Sequence, residues 1–371
     1  WTLGGVIAFC GAMSYAELGA TMPRSGGEYY FVGRIYHPAA GFVSGWVSAT
    51  VGFAAPTALA AITFSKYLSR AFPNIPVTAS AVLLVAALTV THATHRRTSG
   101  SVQIAFTAIK GGLIVVFCVG AMLVVDSTQP VVFTPSAGDG ALMTAGAFAI
   151  SLIYVSYAYT GWNVATYLSS ELDNPQRNLP WVLGGGTLLV ATLYLALNYV
   201  FLKVAPIDAL RGQIEVGYIA AEYAFGAGIA RIMGVILALL LVSTVSAMII
   251  AGPRVYQAIG QDHALFARLA STNRFGVPAF AIYFQGVVTI IFIVTSSFEF
   301  ILKFSGFILA LNTLATVIGL FVLRWREPDR PRPFRAWGYP ITPIIFLALT
   351  SWTLWYVVAD EHGTDWLALV L

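Results

Sequence analysis

Apolar residues in this chain run in stretches of about 20, separated by short polar segments punctuated with Pro and Gly. A stretch of that length, wound as a helix, matches the hydrocarbon thickness of a bilayer. Spans are predicted near 1–20, 40–64, 76–93, 101–125, 142–169, 181–202, 231–252, 278–295, 304–323 and 340–358. A further apolar run opens at Trp366. Backbone that crosses lipid must satisfy its own polar groups, so the spans are read as helices. Their even spacing leaves no room for a sizeable soluble domain.

Composition agrees. The 371 residues are 58% hydrophobic and 10% charged, with mean hydropathy +0.79, against about 25% charged in soluble domains. The net charge of +4 would matter for nucleic acid only if it were gathered on one soluble face. It follows alternate loops instead. The loops 21–37, 92–99, 171–180, 253–277 and 324–338 hold 13 Lys and Arg, and the opposite set holds 5. By the positive-inside rule the first set faces the cytoplasm. The basicity is therefore topological, and no nucleic-acid partner is expected. Trp1 opens inside an apolar span without a signal-peptide n-region, and the closing "WLALVL" is too short to cross. At least one span is expected upstream and most of one downstream.

The chemistry of enzymes is hard to find. There is no phosphate-binding Walker loop, no G-x-S-x-G elbow and no Cys/His set at zinc spacing. His37, His92, His95, His263 and His362 fall in loops or at span ends, and the His92/His95 pair, whose i, i+3 spacing could hold a metal, reads better as a solvated cytoplasmic loop. Cys10 and Cys118 fall inside apolar spans and read as inert packing. With no paired acid and base, neither an enzyme nor a cofactor is expected.

What remains is polarity inside membrane helices, which is costly and marks function. The stretch "SYAYTGWN", Ser156 to Asn163, interrupts an apolar span. Gly161 is a weak helix former, so the segment reads either as a helix broken around a substrate or as an unbroken helix hydrogen-bonded to its neighbours. Lys110 lies nine residues into its span, about 13 Å along the axis. That is deep for snorkelling, and it reads as a proton-exchanging group, a snorkelled lysine or a structural ion pair. Ser243 and Thr244 either bond the carbonyls of their own helix or line an ion or substrate site.

These residues carry a family resemblance. "GGVIAFCGAMSYAELGATMPRSGGEYYFVGRIY" is similar to the second helix of the amino acid–polyamine–organocation permeases and the loop after it. "YAYTGWN" with "SSELDNPQRNLPWVL" resembles their broken sixth helix and its exit. "VLRWREPDRPRPFRAWGYPITP" resembles the loop between their tenth and eleventh helices. The likeness covers the whole chain and is nearest the L-type amino acid transporter branch. It implies an all-α polytopic membrane protein with a five-plus-five inverted-repeat fold and a broken sixth helix. On that register the chain lacks the first helix and most of the twelfth. Residues 1–125 would be helices two to five of the first repeat, 126–324 the second repeat, and 325–371 helix eleven and the start of helix twelve.

The resemblance also implies roles. Ser156, Tyr157, Tyr159, Thr160, Gly161 and Asn163 would form the substrate segment, with Tyr157 as an aromatic gate and free carbonyls facing the substrate's ammonium group. Lys110 would stand where sodium-coupled relatives hold sodium, beside Ser243 and Thr244, favouring proton coupling or exchange. No disulfide-linked heavy subunit is expected, because the loop "LSRAFPNIPV" has no cysteine. A bacterial-type transporter of the inner membrane fits best.

Glu17, near the cytoplasmic end of its span, pairs with a basic group or relays protons. Glu171 and Arg254 form an inner gate or stay unpaired. The "REPDRPRPFR" run either binds anionic headgroups or only carries positive-inside charge. The expected function is secondary transport of amino acids by alternating access. Alternatives are a non-transporting amino-acid receptor and a carrier of polyamines or other organocations.

Overall fold

The computed structural model describes residues 1–94, 100–125, 128–134 and 136–359, the side chains of 100–103 and 171 excepted. Within them the regular structure is helical, with no strand. Ten long helices correspond to the predicted spans: α1 (Thr2–Thr21), α2 (Pro38–Ala71), α3 (Val77–Thr94), α4 (Gly100–Val124), α5 (Gly146–Ala158), α6 (Pro175–Val204), α7 (Val216–Ala251), α8 (Ala279–Thr295), α9 (Phe298–Arg326) and α10 (Ile341–Ala359). By length and composition eight helical stretches can cross a membrane, α7 being counted together with the helix Pro253–Asp262; α5 and α8 are shorter apolar helices. The Trp366 run and His95 lie outside the described residues.

Burial orders the bundle. The most apolar window of α1 is 83% buried and that of α4 only 11%. A helix apolar all round belongs in the centre or against lipid, and these two take the opposite places. α1 packs on α6 and α10, and Tyr15, Met13, Leu18, Leu179, Leu183, Leu320 and Phe346 share its core.

Among the described residues, contacts tie the loops of each set to one another at its own end of the bundle. At the Arg-rich end, Arg24 meets Asp262, Arg34 meets Glu327, and Glu17 meets Arg324 and Arg332. Asn273 donates to the Ala93 carbonyl there. At the other end Arg70 pairs with Glu215 and Tyr154 donates to Glu299. Glu17 therefore pairs, with both Arg324 nitrogens and the Ala336 amide on its carboxylate.

Three regions differ from the hydropathy reading. Residues 216–230, expected as loop, begin α7, with a kink at Gly226. Tyr218, Ile219, Ala220 and Ala221 are buried there, so tertiary packing extends the helix past its polar residues. The loop 253–277 contains the helix Pro253–Asp262, whose Val255, Tyr256 and Ile259 are buried. The loop 21–37 contains the buried helix Glu28–Ile35. His92, read as part of a solvated loop, is buried, with Nε2 2.9 Å from the Ser246 hydroxyl.

α2 is not regular. Residues Ser48–Ala54 form a π-helical stretch just before Pro56. A proline ring crowds the carbonyl four residues earlier, here Gly52, and a wider turn relieves it. Such turns recur at functional sites, and this one faces the interruption after α5.

Candidate functional site

α5 stops at Ala158, and the chain resumes as a 3-10 helix over Val164–Glu171. Between them Gly161 takes φ +101°, a backbone that side chains resist, so the helix breaks where the sequence places its glycine. The Ala158 carbonyl accepts from the Tyr194 hydroxyl at 3.0 Å. Gly161 and Asn163 pass their carbonyls to Val164 and Thr166 N–H. The carbonyls of Tyr159 and Thr160 accept no backbone N–H from the described residues, leaving two acceptors at the break.

Three cavities border it: the largest, about 380 Å³, is bounded by Tyr159, Thr160, Gly161, Trp162 and residues of α6, and two others lie on either side. The one away from the Arg-rich end, about 70 Å³, is bounded by Ser156, Tyr157, Thr160, Trp162, Phe346 and residues of α1 and α9. The one toward the Arg-rich end, about 60 Å³, is bounded by Glu28, Phe53, Gly161, Asn163 and Tyr167. Thr160, Trp162, Leu309 and Thr313 line both, so the broken segment and α9 form their common wall. Trp162 stands edge-on to Tyr15, 4.8 Å between centroids. A Cβ on Gly11 would lie 2.9 Å from its indole, so the tryptophan needs that glycine.

The six expected substrate residues divide among these cavities, with Tyr159 on the largest and Ser156, Tyr157, Thr160, Gly161 and Asn163 on the two smaller ones. The Tyr157 hydroxyl is buried and meets no hydrogen-bond partner among the described residues. The Tyr159 ring turns away from the two smaller cavities: its hydroxyl donates to the Trp1 carbonyl at 3.2 Å, and the ring packs with Trp1 and Tyr194.

Lys110 on α4 meets both expected hydroxyls on α7, with Nζ 2.9 Å from Thr244 Oγ1 and 3.4 Å from Ser243 Oγ. Arg254 lies within 3.5 Å of Gln257, whereas the expected partner Glu171 has its side chain outside the described residues. Polar ties at that end include the bidentate Arg24–Asp262 pair and the Ser25–Ser170 hydroxyl contact.

The residue that sequence reasoning missed is Glu28. Only 1% exposed, it accepts from Tyr15 Oη at 2.8 Å, Asn163 Nδ2 at 2.5 Å and Tyr167 Oη, with Ser48 Oγ at 3.5 Å. No Lys, Arg or His among the described residues pairs with it. Its place after "RSGG" reads as a solvated loop; the available signal was the apolar "YYFV" that follows it.

A bundle rich in membrane-length helices, with one apolar helix broken beside several cavities, fits a polytopic helical transporter. The model of the amino acid permease family matches residues 1–370. The chain belongs to this family, which places it among transporters rather than enzymes. It is similar to the large neutral amino acids transporter small subunit 2 of Rattus norvegicus, 31% identical over 372 residues, covering 96% of this chain and 68% of that protein. The Oryctolagus cuniculus form is 32% identical over the same shares. The b(0,+)-type amino acid transporter 1 of Mus musculus is 27% identical, covering 100% of this chain and 77% of its own length.

Proposed function

We propose that the protein carries neutral amino acids across a cell membrane by alternating access, as a proton-coupled carrier or an exchanger. The observation that carries this reading is the broken segment Tyr157–Asn163 with a cavity on either side and Thr160 and Trp162 shared between them. Free carbonyls at Tyr159 and Thr160 would receive the ammonium group, as discontinuous helices do for charged substrate groups. The outer cavity holds no Lys, Arg, His, Asp or Glu among its lining residues. An unpaired charge on a substrate side chain would be buried there at high cost, which favours a neutral one. Two relatives are named as large neutral amino acid transporters, which points the same way.

In this reading Tyr157 closes the outer side. Arg24–Asp262 and Ser25–Ser170 close the cytoplasmic side, the end rich in Arg, and a Glu171–Arg254 gate would add to them. The Lys110 amine itself would fill the place beside Ser243 and Thr244, which leaves proton coupling or exchange in place of sodium. The five-plus-five division, with its first repeat closing near residue 125, belongs to the same reading, as does an inner-membrane location. Cys10 and Cys118 lie within α1 and α4, so residues 1–371 offer no loop thiol for a disulfide-linked subunit.

Proteoliposomes containing the full-length protein are expected to take up a radiolabelled neutral amino acid, and Tyr157→Ala to bring uptake to background. Wild-type protein that takes up none of the neutral amino acids sinks the reading. Binding without flux would identify a receptor instead. Lys110→Ala is expected to flatten the pH dependence of uptake; an unchanged pH profile would make the lysine structural.

A further inference from the structure

The buried Glu28 carboxylate has no cationic partner among the described residues, and such a group in a membrane bundle is expected to have a function. The simplest role, direct binding of the substrate's ammonium, does not fit the geometry. A carboxylate has about four acceptor sites. Three are held by Tyr15, Asn163 and Tyr167, and Ser48 approaches the remaining one. The donors come from four directions: α1, the break after α5, its 3-10 continuation, and the π-helical turn of α2. Ser48 is itself held by Asn312 Nδ2 of α9 at 3.0 Å. Glu28 is saturated by protein groups, so it acts through them.

The consequence falls on Asn163. A carboxylate only accepts hydrogen bonds, so the end of the Asn163 amide that meets Glu28 must be its NH2. The other end, Oδ1, is left for the cavity that Asn163 lines together with Gly161 and Trp162. Without Glu28 the amide is free to turn over and present two donors where an ammonium group needs an acceptor.

We infer that Glu28 is a positioning residue for the ammonium end of the substrate site: it clamps Asn163 by its NH2 so that the amide oxygen faces the cavity beside the break. This rests on the transport reading above, and it adds a fifth element, the helix Glu28–Ile35, to the site. The clamp depends on an acceptor oxygen at position 28. Gln supplies one toward Asn163 while its NH2 faces Tyr167 and Ser48, whose hydroxyls can turn to accept.

The test is uptake kinetics and thermal melting of the full-length protein. Glu28→Gln is expected to keep KM within about threefold of wild type, and Glu28→Ala to raise it about tenfold or more. Asn163→Asp sets two carboxylates against each other and is expected to lower uptake and melting temperature together. The double variant Asn163→Asp/Glu28→Gln restores a donor–acceptor pair with its direction reversed, and is expected to recover both. Wild-type KM in Glu28→Ala overturns the inference. So does equal damage from Gln and Ala, or a double variant no better than Asn163→Asp. If Glu28→Ala does not fold, the Asn163→Asp rescue decides by itself. A wild-type protein without uptake counts against transport, while the melting rescue still reads the Glu28–Asn163 clamp.

Discussion

Glu17→Ala is expected to cause the largest loss of stability of any single substitution at the Arg-rich end. Glu17 is 1% exposed and receives Arg324 Nε at 2.8 Å, Arg324 Nη2 at 2.7 Å and the Ala336 amide at 2.7 Å, with Arg332 Nε 3.6 Å away. Arg324 also lies 3.5 Å over the Tyr339 ring, so its guanidinium has no easy way back to water. Removing the carboxylate strands the largely buried Arg324 guanidinium and an amide N–H, while Arg332 keeps the carbonyls of Glu327, Pro328 and Arg330. Breaking a buried pair by deleting one partner costs roughly 3–5 kcal/mol. Melting of the detergent-solubilised protein should fall by several degrees or more, with less folded protein recovered from membranes. Arg24→Ala provides the contrast: its partner Asp262 is one-third exposed and Arg24 itself about half exposed, and exposed pairs contribute about 0–1 kcal/mol. A Glu17→Ala protein that melts with wild type would show that the cluster carries no net stability.

Gly161→Val is expected to abolish uptake while the bundle stays folded. Space is not the obstacle, since a Cβ at this position would meet only Val164 Cγ2, at 3.9 Å. The obstacle is φ +101°, where a β-branched residue is strained by about 1–3 kcal/mol. The chain relieves that strain most cheaply by moving the break, which takes the Tyr159 and Thr160 carbonyls and the Asn163 amide out of register with α9. Uptake by Gly161→Val should sit at background, and Gly161→Ala should retain a tenth or less, with melting within a few degrees of wild type. Normal uptake by Gly161→Val would mean that the turn conformation is not needed.

Much of this was legible in the sequence, for a common reason. Span positions follow from apolar run length, because the bilayer imposes one length on every crossing. The grouping of the Arg-rich loops at one end follows from charge alone. The interruption after Tyr157 was legible because Gly161 sits in a cluster of polar residues that lipid does not tolerate. The meeting of Lys110 with Ser243 and Thr244 came from the family resemblance, since they lie 133 and 134 residues apart and no local pattern links them. Residues 216–230 were misjudged because hydropathy averages over a window, whereas the buried face of Tyr218–Ala221 is held by neighbours that the window does not see.

By itself the sequence determined a helical membrane chain, the positions of its apolar stretches, its charge-marked loops and the place of its break, because each depends on local residue chemistry facing one uniform solvent. The tertiary structure alone decided which polar groups meet. It buried Glu28 among α1, α2 and the broken segment, turned the Tyr159 ring outward onto Trp1 and Tyr194, and closed Glu17 against Arg324. Those outcomes depend on side chains brought within hydrogen-bond distance from positions up to 319 residues apart. Packing geometry sets such distances, and hydropathy carries no record of them.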